Sequence, residues 1–138
     1  MIKFKVLEKD VKKKLSHIEE QIKDISGVSF LYLFGSYARG EENNLSDIDI
    51  AYYISNAVKD KESVETKLYD RISSYLRTDE ITFVCLNRAP LYLSRRIIVE
   101  GVILYERNQR ERIDYIERFT KLYLDFLPFY KEVSDGYR

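Results

Sequence analysis

Seven consecutive residues, Val28-Ser29-Phe30-Leu31-Tyr32-Leu33-Phe34, are β-branched, aromatic or Leu with one Ser among them, and they give way abruptly to Gly35-Ser36. A run this short and this apolar, closed by a glycine, reads as a buried strand. Such a strand must be covered, so the flanking sequence has to supply sheet neighbours and helices. Upstream, Leu7, Val11, Leu15, Ile18, Ile22 and Ile25 step by three or four residues and predict one amphipathic helix that Ser26-Gly27 ends. Downstream, an alternating strand is expected from near Asp47 to about Ile54, with Asp47, Asp49 and Ala51 on one face and Ile48, Ile50 and Tyr52 on the other.

Val64, Leu68, Ile72, Tyr75 and Leu76 predict a second amphipathic helix capped by Asp60. Ile81 to Leu86 reads as a third strand. Pro90 suits the first turn of a short helix reaching Gly101, and Val102 to Tyr105 as a last strand. The expected fold class is therefore α/β (α+β), a small mixed β-sheet flanked by helices. Its 138 residues make one domain, 1–138, with 107–138 as a C-terminal helical extension.

Composition excludes several kinds of function. With 23 basic and 23 acidic side chains the formal net charge is zero, so no global field draws in a polyanion, and direct nucleic-acid binding is not expected. No apolar run approaches a membrane span and the N-terminus does not resemble a signal peptide, which predicts a cytoplasmic protein with no membrane partner. Cys85, the only cysteine, lies in an apolar run and reads as a structural thiol. His17, the only histidine, falls among Lys and Glu and reads as surface, so chemistry built on a histidine base is not expected.

The segment that carries chemistry is Gly35-Ser36-Tyr37-Ala38-Arg39-Gly40, followed by Asp47-Ile48-Asp49 with ten residues between Ser36 and Asp47. Gly35 lacks a Cβ, so the chain can turn tightly there and a phosphate can come close. Ser36 then opens a short helix, where free N–H groups, the dipole and its hydroxyl favour an anion. Asp47 and Asp49, two apart on a strand, project from one face with Cα atoms roughly 7 Å apart. Like charges held that close call for a cation between them, and hard oxygen ligands suit Mg²⁺ bridging to substrate phosphates. The competing reading is an ordinary turn followed by the solvated face of an edge strand. The planar fork of Arg39 suits phosphate oxygens, with a surface pair to Glu41 or Glu42 as its alternative.

Gly-Ser, ten residues, Asp-x-Asp resembles the signature of the DNA polymerase beta-type nucleotidyltransferase superfamily, and the chain is similar to its minimal (MNT) branch. Leu86-Asn87-Arg88-Ala89-Pro90, Glu100-Gly101-Val102-Ile103-Leu104-Tyr105 and Tyr123-Leu124-Asp125-Phe126 extend the likeness over most of the sequence. The resemblance implies a polymerase beta-like nucleotidyltransferase fold and a Mg²⁺-dependent enzyme that takes ATP as substrate. Asp47 and Asp49 would be its catalytic and metal-binding residues; Gly35, Ser36 and Arg39 would hold the nucleotide. It further implies an antitoxin that moves AMP from ATP onto a tyrosine of a cognate HEPN-domain ribonuclease toxin. The alternatives are an antitoxin acting by binding alone and a small-molecule, aminoglycoside-type transferase. Family members carry a third carboxylate on the strand after the second helix; alignment on Leu86-Asn87 puts Thr82 there. Glu80, two residues earlier on the same face, is the substitute metal ligand, whereas Asp79 faces the other way.

Residues past the last strand predict a helix with two apolar stripes, Ile113, Ile116, Tyr123, Leu127 and Tyr130 on one, Tyr115, Phe119, Leu122, Phe126 and Phe129 on the next, kinked or ended by Pro128 near Leu127. One stripe suffices to dock on the core. The other marks a surface for the partner that brings the acceptor hydroxyl, or for a homodimer.

Overall fold

A computed structural model describes residues 5–43 and 46–136, with side chains described over 11–43 and 46–129. The elements run α1 (Lys5–Ser16), α2 (Glu19–Ile22), β1 (Val28–Phe34), α3 (Gly35–Arg39), β2 (Ile48–Ile54), α4 (Lys61–Leu76), β3 (Ile81–Cys85), α5 (Leu91–Glu100), β4 (Val102–Glu106) and α6 (Gln109–Gly136). The strands form a mixed sheet in the order β3-β2-β1-β4, with β1 antiparallel to both neighbours and β3 parallel to β2 across the α4 crossover.

The apolar run of β1 has a direct physical reason. Every one of its residues is buried, because the strand is central and both of its faces are covered. Leu31 and Leu33 face a core with Val11, Leu15, Ile18 and Ile22 from the N-terminal helices and Leu68, Ile72 and Leu76 from α4. Phe30, Tyr32 and Phe34 face a second, aromatic core closed by Ile97 of α5 and Tyr115 and Phe119 of α6. Phe30 stacks on Tyr53 with centroids 5.1 Å apart and meets Tyr115 at 5.4 Å. β2 alternates between the same two cores, Ile48, Ile50 and Tyr52 in one and Ala51 and Tyr53 in the other.

The first helix departs from expectation. Apolar spacing continues from Val11 to Ile25, but the backbone breaks at His17-Ile18 into α1 and α2. Ser16 Oγ donates to the Lys13 carbonyl at 2.6 Å, and three-residue bonds from His17 N to Lys14 O and from Ile18 N to Leu15 O tighten the turn. Side-chain hydroxyls compete for helix carbonyls in this way, and Leu15 before the break and Ile18 and Ile22 after it all remain buried. The second helix agrees: Asp60 caps α4 by accepting from Ser63 N at 3.1 Å.

Asn87 gives the Leu86-Asn87-Arg88-Ala89-Pro90 stretch a structural role without any chemistry. Its side chain accepts from Ile54 N at 2.9 Å and donates to Ile54 O at 2.8 Å, extending the β2 pairing past the end of β3. Pro90 is the residue before α5 rather than its first turn. α6 is not ended by Pro128; it runs 28 residues with that proline inside it. Its two expected stripes also mix. Tyr115 and Phe119 from one and Ile116 and Tyr123 from the other pack on the aromatic core, while Leu122, Leu124, Phe126, Leu127 and Phe129 stay exposed. The side chain of Tyr130 lies outside the described residues. Among the described residues no helix is long and apolar enough to cross a membrane.

Candidate active site

β1 delivers Gly35 to the same edge of the sheet at which β2 begins, because Phe34 pairs with Asp49 in the antiparallel register. Gly35 has φ +70, and a Cβ built on it would lie 1.9 Å from Asp49 Oδ2 and 2.9 Å from its Cγ. Glycine is required here because the Asp49 side chain fills the space that a Cβ would take. The turn and the carboxylate are therefore one feature in space, although thirteen residues separate them in sequence.

Ser36 follows on α3, whose five residues end at Gly40 in the left-handed region with φ 71. The segment after it is held by the Glu41 N to Ser36 O bond of 2.9 Å and by a Lys12–Glu42 ion pair, with the Glu42 side chain almost wholly buried against α1. Asp47 is exposed and lies immediately before β2 rather than on it, while Asp49 on the strand is partly buried. The Asp47–Asp49 pair and the Gly35-Ser36 turn are thus brought to one sheet edge, as the spacing implied.

The carboxyl of Asp49 is pushed above the ordinary carboxylate range, first by burial. A hydrogen bond from Thr82 works against that rise, the negative charge of Asp47 adds to it, and the positive fields of Arg39 and Arg96 oppose it. Thr82 is the β3 residue paired with Asp49 in the parallel register, so the position that family resemblance assigns to a third carboxylate holds a hydroxyl donor. Glu80 lies just before β3, its carbonyl accepting from Ile48 N at 3.1 Å. Among the described residues no three His, Cys, Asp or Glu side chains gather closely enough to hold a metal, so Glu80 does not complete a cluster with the pair. The pair still fits Mg²⁺, which commonly takes only one or two protein carboxylates and completes its shell with water and substrate phosphates.

Arg39 donates from Nε to Glu41 Oε2 at 2.9 Å, the surface pair foreseen as its alternative; the charges of Glu100 and Asp49 also reach it. Arg96 is the site residue that the sequence did not point to, and Thr82, placed by alignment at the third-carboxylate position, proves to be a hydrogen-bond donor to Asp49. Neither belongs to the motif, and each reaches Asp49 only through the packing of its own element. Burial raises the Cys85 thiol, consistent with an inert structural cysteine. His17 is exposed and far in sequence from every site residue. A cleft of about 640 Å³ beside α3, lined by Lys12, Tyr37, Arg39 and Val102 among others, shares only Arg39 with the site and does not include the carboxylates.

The family model described as polymerase beta, nucleotidyltransferase matches residues 14–110, a span that contains the turn, both aspartates and all four strands. The chain is 29% identical over 90 residues to the protein adenylyltransferase MntA of Shewanella oneidensis, a match covering 65% of this chain and 63% of that relative's length. Among solved structures it resembles a chain from tri-AMPylated Shewanella oneidensis HEPN toxin in complex with MNT antitoxin, with TM-score 0.57, 21% identity and coverage of 90% of this chain and 98% of that one. It likewise resembles a chain from a toxin–antitoxin structure with AMP-PNP, with TM-score 0.58, 23% identity and coverage of 91% and 97%. At these identities the structural likeness speaks for the fold.

Proposed function

Since the chain belongs to the polymerase beta nucleotidyltransferase family, we propose that it is a protein adenylyltransferase antitoxin that moves AMP from ATP onto a tyrosine hydroxyl of a cognate HEPN ribonuclease toxin in the cytoplasm. The observation that carries this reading is the Asp49 carboxylate lodged against Gly35, which joins the two halves of the motif into one site. The name of the curated relative and the AMPylated toxin in the structural relative support the choice of acceptor.

Each residue takes a role that its place allows. The first-turn N–H groups of α3 and the Ser36 hydroxyl receive phosphate oxygens, and Arg39 exchanges its exposed Glu41 partner for them, since an exposed pair of that kind contributes little. Asp47 and Asp49 would hold Mg²⁺ without help from Glu80, and the ion would supply positive charge to the phosphates and the acceptor oxygen. The acceptor oxygen bonds to the α-phosphorus, the bond to the α–β bridging oxygen breaks, pyrophosphate leaves with the electron pair, and the hydroxyl proton passes to water. Catalysis of this kind is mostly positioning and electrostatic stabilisation. The partner brings the acceptor and docks on the exposed distal half of α6.

Incubating the purified protein with the toxin, ATP and Mg²⁺ should add one or more AMP masses to the toxin, and Asp49→Asn should abolish the addition. An unmodified toxin with the wild-type protein sinks the reading. Thr82 in place of a carboxylate favours one alternative, an antitoxin that neutralises by binding alone. In that case the Asp47→Asn, Asp49→Asn double variant would still protect cells from the toxin.

A further inference from the structure

The C-terminal turns of α5 are pressed onto the strand that carries the phosphate turn. A Cβ on Gly101 would stand 2.9 Å from Tyr32 Cδ1 and 3.2 Å from the Leu33 carbonyl oxygen, and Ile97 is fully buried beneath the helix. With that face fixed, the helical repeat divides the remaining side chains between two flanks. Arg95 goes to the flank beside α6, its guanidinium 5.7 Å from the Tyr123 ring centroid. Arg96 and Glu100, four residues apart, go to the opposite flank, where α5 touches α3.

The charges of four side chains from three elements act on one another there. Arg96 Nε and Glu100 Oε2 are 3.4 Å apart. Glu100 acts on Arg39, and both Arg39 and Arg96 act on Asp49. The two arginines thus stand on separate helices, and the charge of each reaches Asp49, whose carboxylate lies against Gly35. The Arg96 side chain is 58% exposed and its pair to Glu100 is long, a weak surface contact. A multiply charged phosphate, which guanidinium grips through two parallel hydrogen bonds, would displace it.

We propose that Arg96 is a second phosphate-binding residue of this site, closing on the triphosphate from α5 while Arg39 closes from α3, and that Glu100 holds its guanidinium beside the site until nucleotide arrives. The inference rests on the nucleotidyltransferase reading but assigns a residue outside the motif. Binding of ATP and of inorganic tripolyphosphate, each with Mg²⁺, is measured by calorimetry for the wild type, Arg96→Ala, Arg96→Lys, Glu100→Gln and Arg95→Ala. Arg96→Ala should weaken both ligands about tenfold or more, Arg96→Lys should recover part of the loss, and Glu100→Gln should bind as tightly as the wild type or tighter. Arg95→Ala, on the other flank, should match the wild type. If the wild type binds neither ligand, the nucleotidyltransferase reading fails together with this one. If it binds both and Arg96→Ala binds them equally well, or Arg95→Ala loses as much, only the role given to Arg96 is overturned.

Discussion

A methyl group at position 35 meets two obstacles at once, a backbone φ of +70 that L side chains avoid and an aspartate oxygen 1.9 Å away. Gly35→Ala should therefore cost roughly 2–4 kcal/mol in chemical denaturation and displace Asp49 enough to remove nucleotidyl transfer. Asp49 itself is held at a cost. Its folded-state pKa is raised, so the folded protein binds that proton more tightly than the unfolded chain. Stability then falls as pH climbs from the unfolded carboxylate range through the raised folded value, and the deficit persists at neutral pH. Asp49→Asn should melt higher than the wild type at pH 7 without Mg²⁺, with the difference vanishing at low pH, while transfer is lost; an equal or lower melting temperature at pH 7 contradicts the burial argument. Gly35 and the two aspartates stood out in the sequence as candidates, because nucleotidyl transfer calls for those residue types at that spacing. That Asp49 fills the glycine's space was not, since it depends on the Phe34–Asp49 register. Arg96 was hidden as well, because its charge reaches Asp49 only through the packing of α5.

At the scale of elements, the central strand was readable because burial on both faces leaves no polar position to blur its pattern. The break between α1 and α2 was not, because Leu15, Ile18 and Ile22 keep helical spacing across a turn that is set by the Ser16 hydroxyl and local hydrogen bonds. Pro128 misled in the other direction. It removes one backbone donor, but the carbonyl that would lose its partner belongs to Leu124, itself exposed to solvent, so the helix continues. Asn87 gives the sharpest test at this scale. Asn87→Leu leaves the Ile54 N–H and C=O without their side-chain partners and should lower stability by about 1–3 kcal/mol, read from the urea midpoint. An unchanged midpoint would mean that the amide bridge contributes nothing to the edge it spans.

The whole molecule presents two surfaces of different character, a charged sheet edge around Asp49 and the apolar distal half of α6. Leu124 is 58% exposed and Phe129 67%, and Leu122, Phe126 and Leu127 of the same segment are exposed as well, more large apolar side chains than a solvent-facing helix needs. Replacing Leu124 and Phe129 together with Lys should leave ATP binding unchanged and weaken toxin association at least tenfold, since buried apolar anchors dominate such interfaces. Loss of ATP binding instead would show that the distal helix supports the fold. A switch from dimer to monomer in sedimentation would assign the patch to a second copy of the chain. A nucleotidyltransferase site moves the nucleotidyl group and not a phosphate. The most direct measurement supplies ATP radiolabelled at either the α- or the γ-phosphate, with Mg²⁺ and the purified HEPN toxin, and follows the label on the toxin. Label should reach the toxin from the α-position alone and be absent with Asp49→Asn. Label from the γ-position, or none from either, would contradict nucleotidyl transfer.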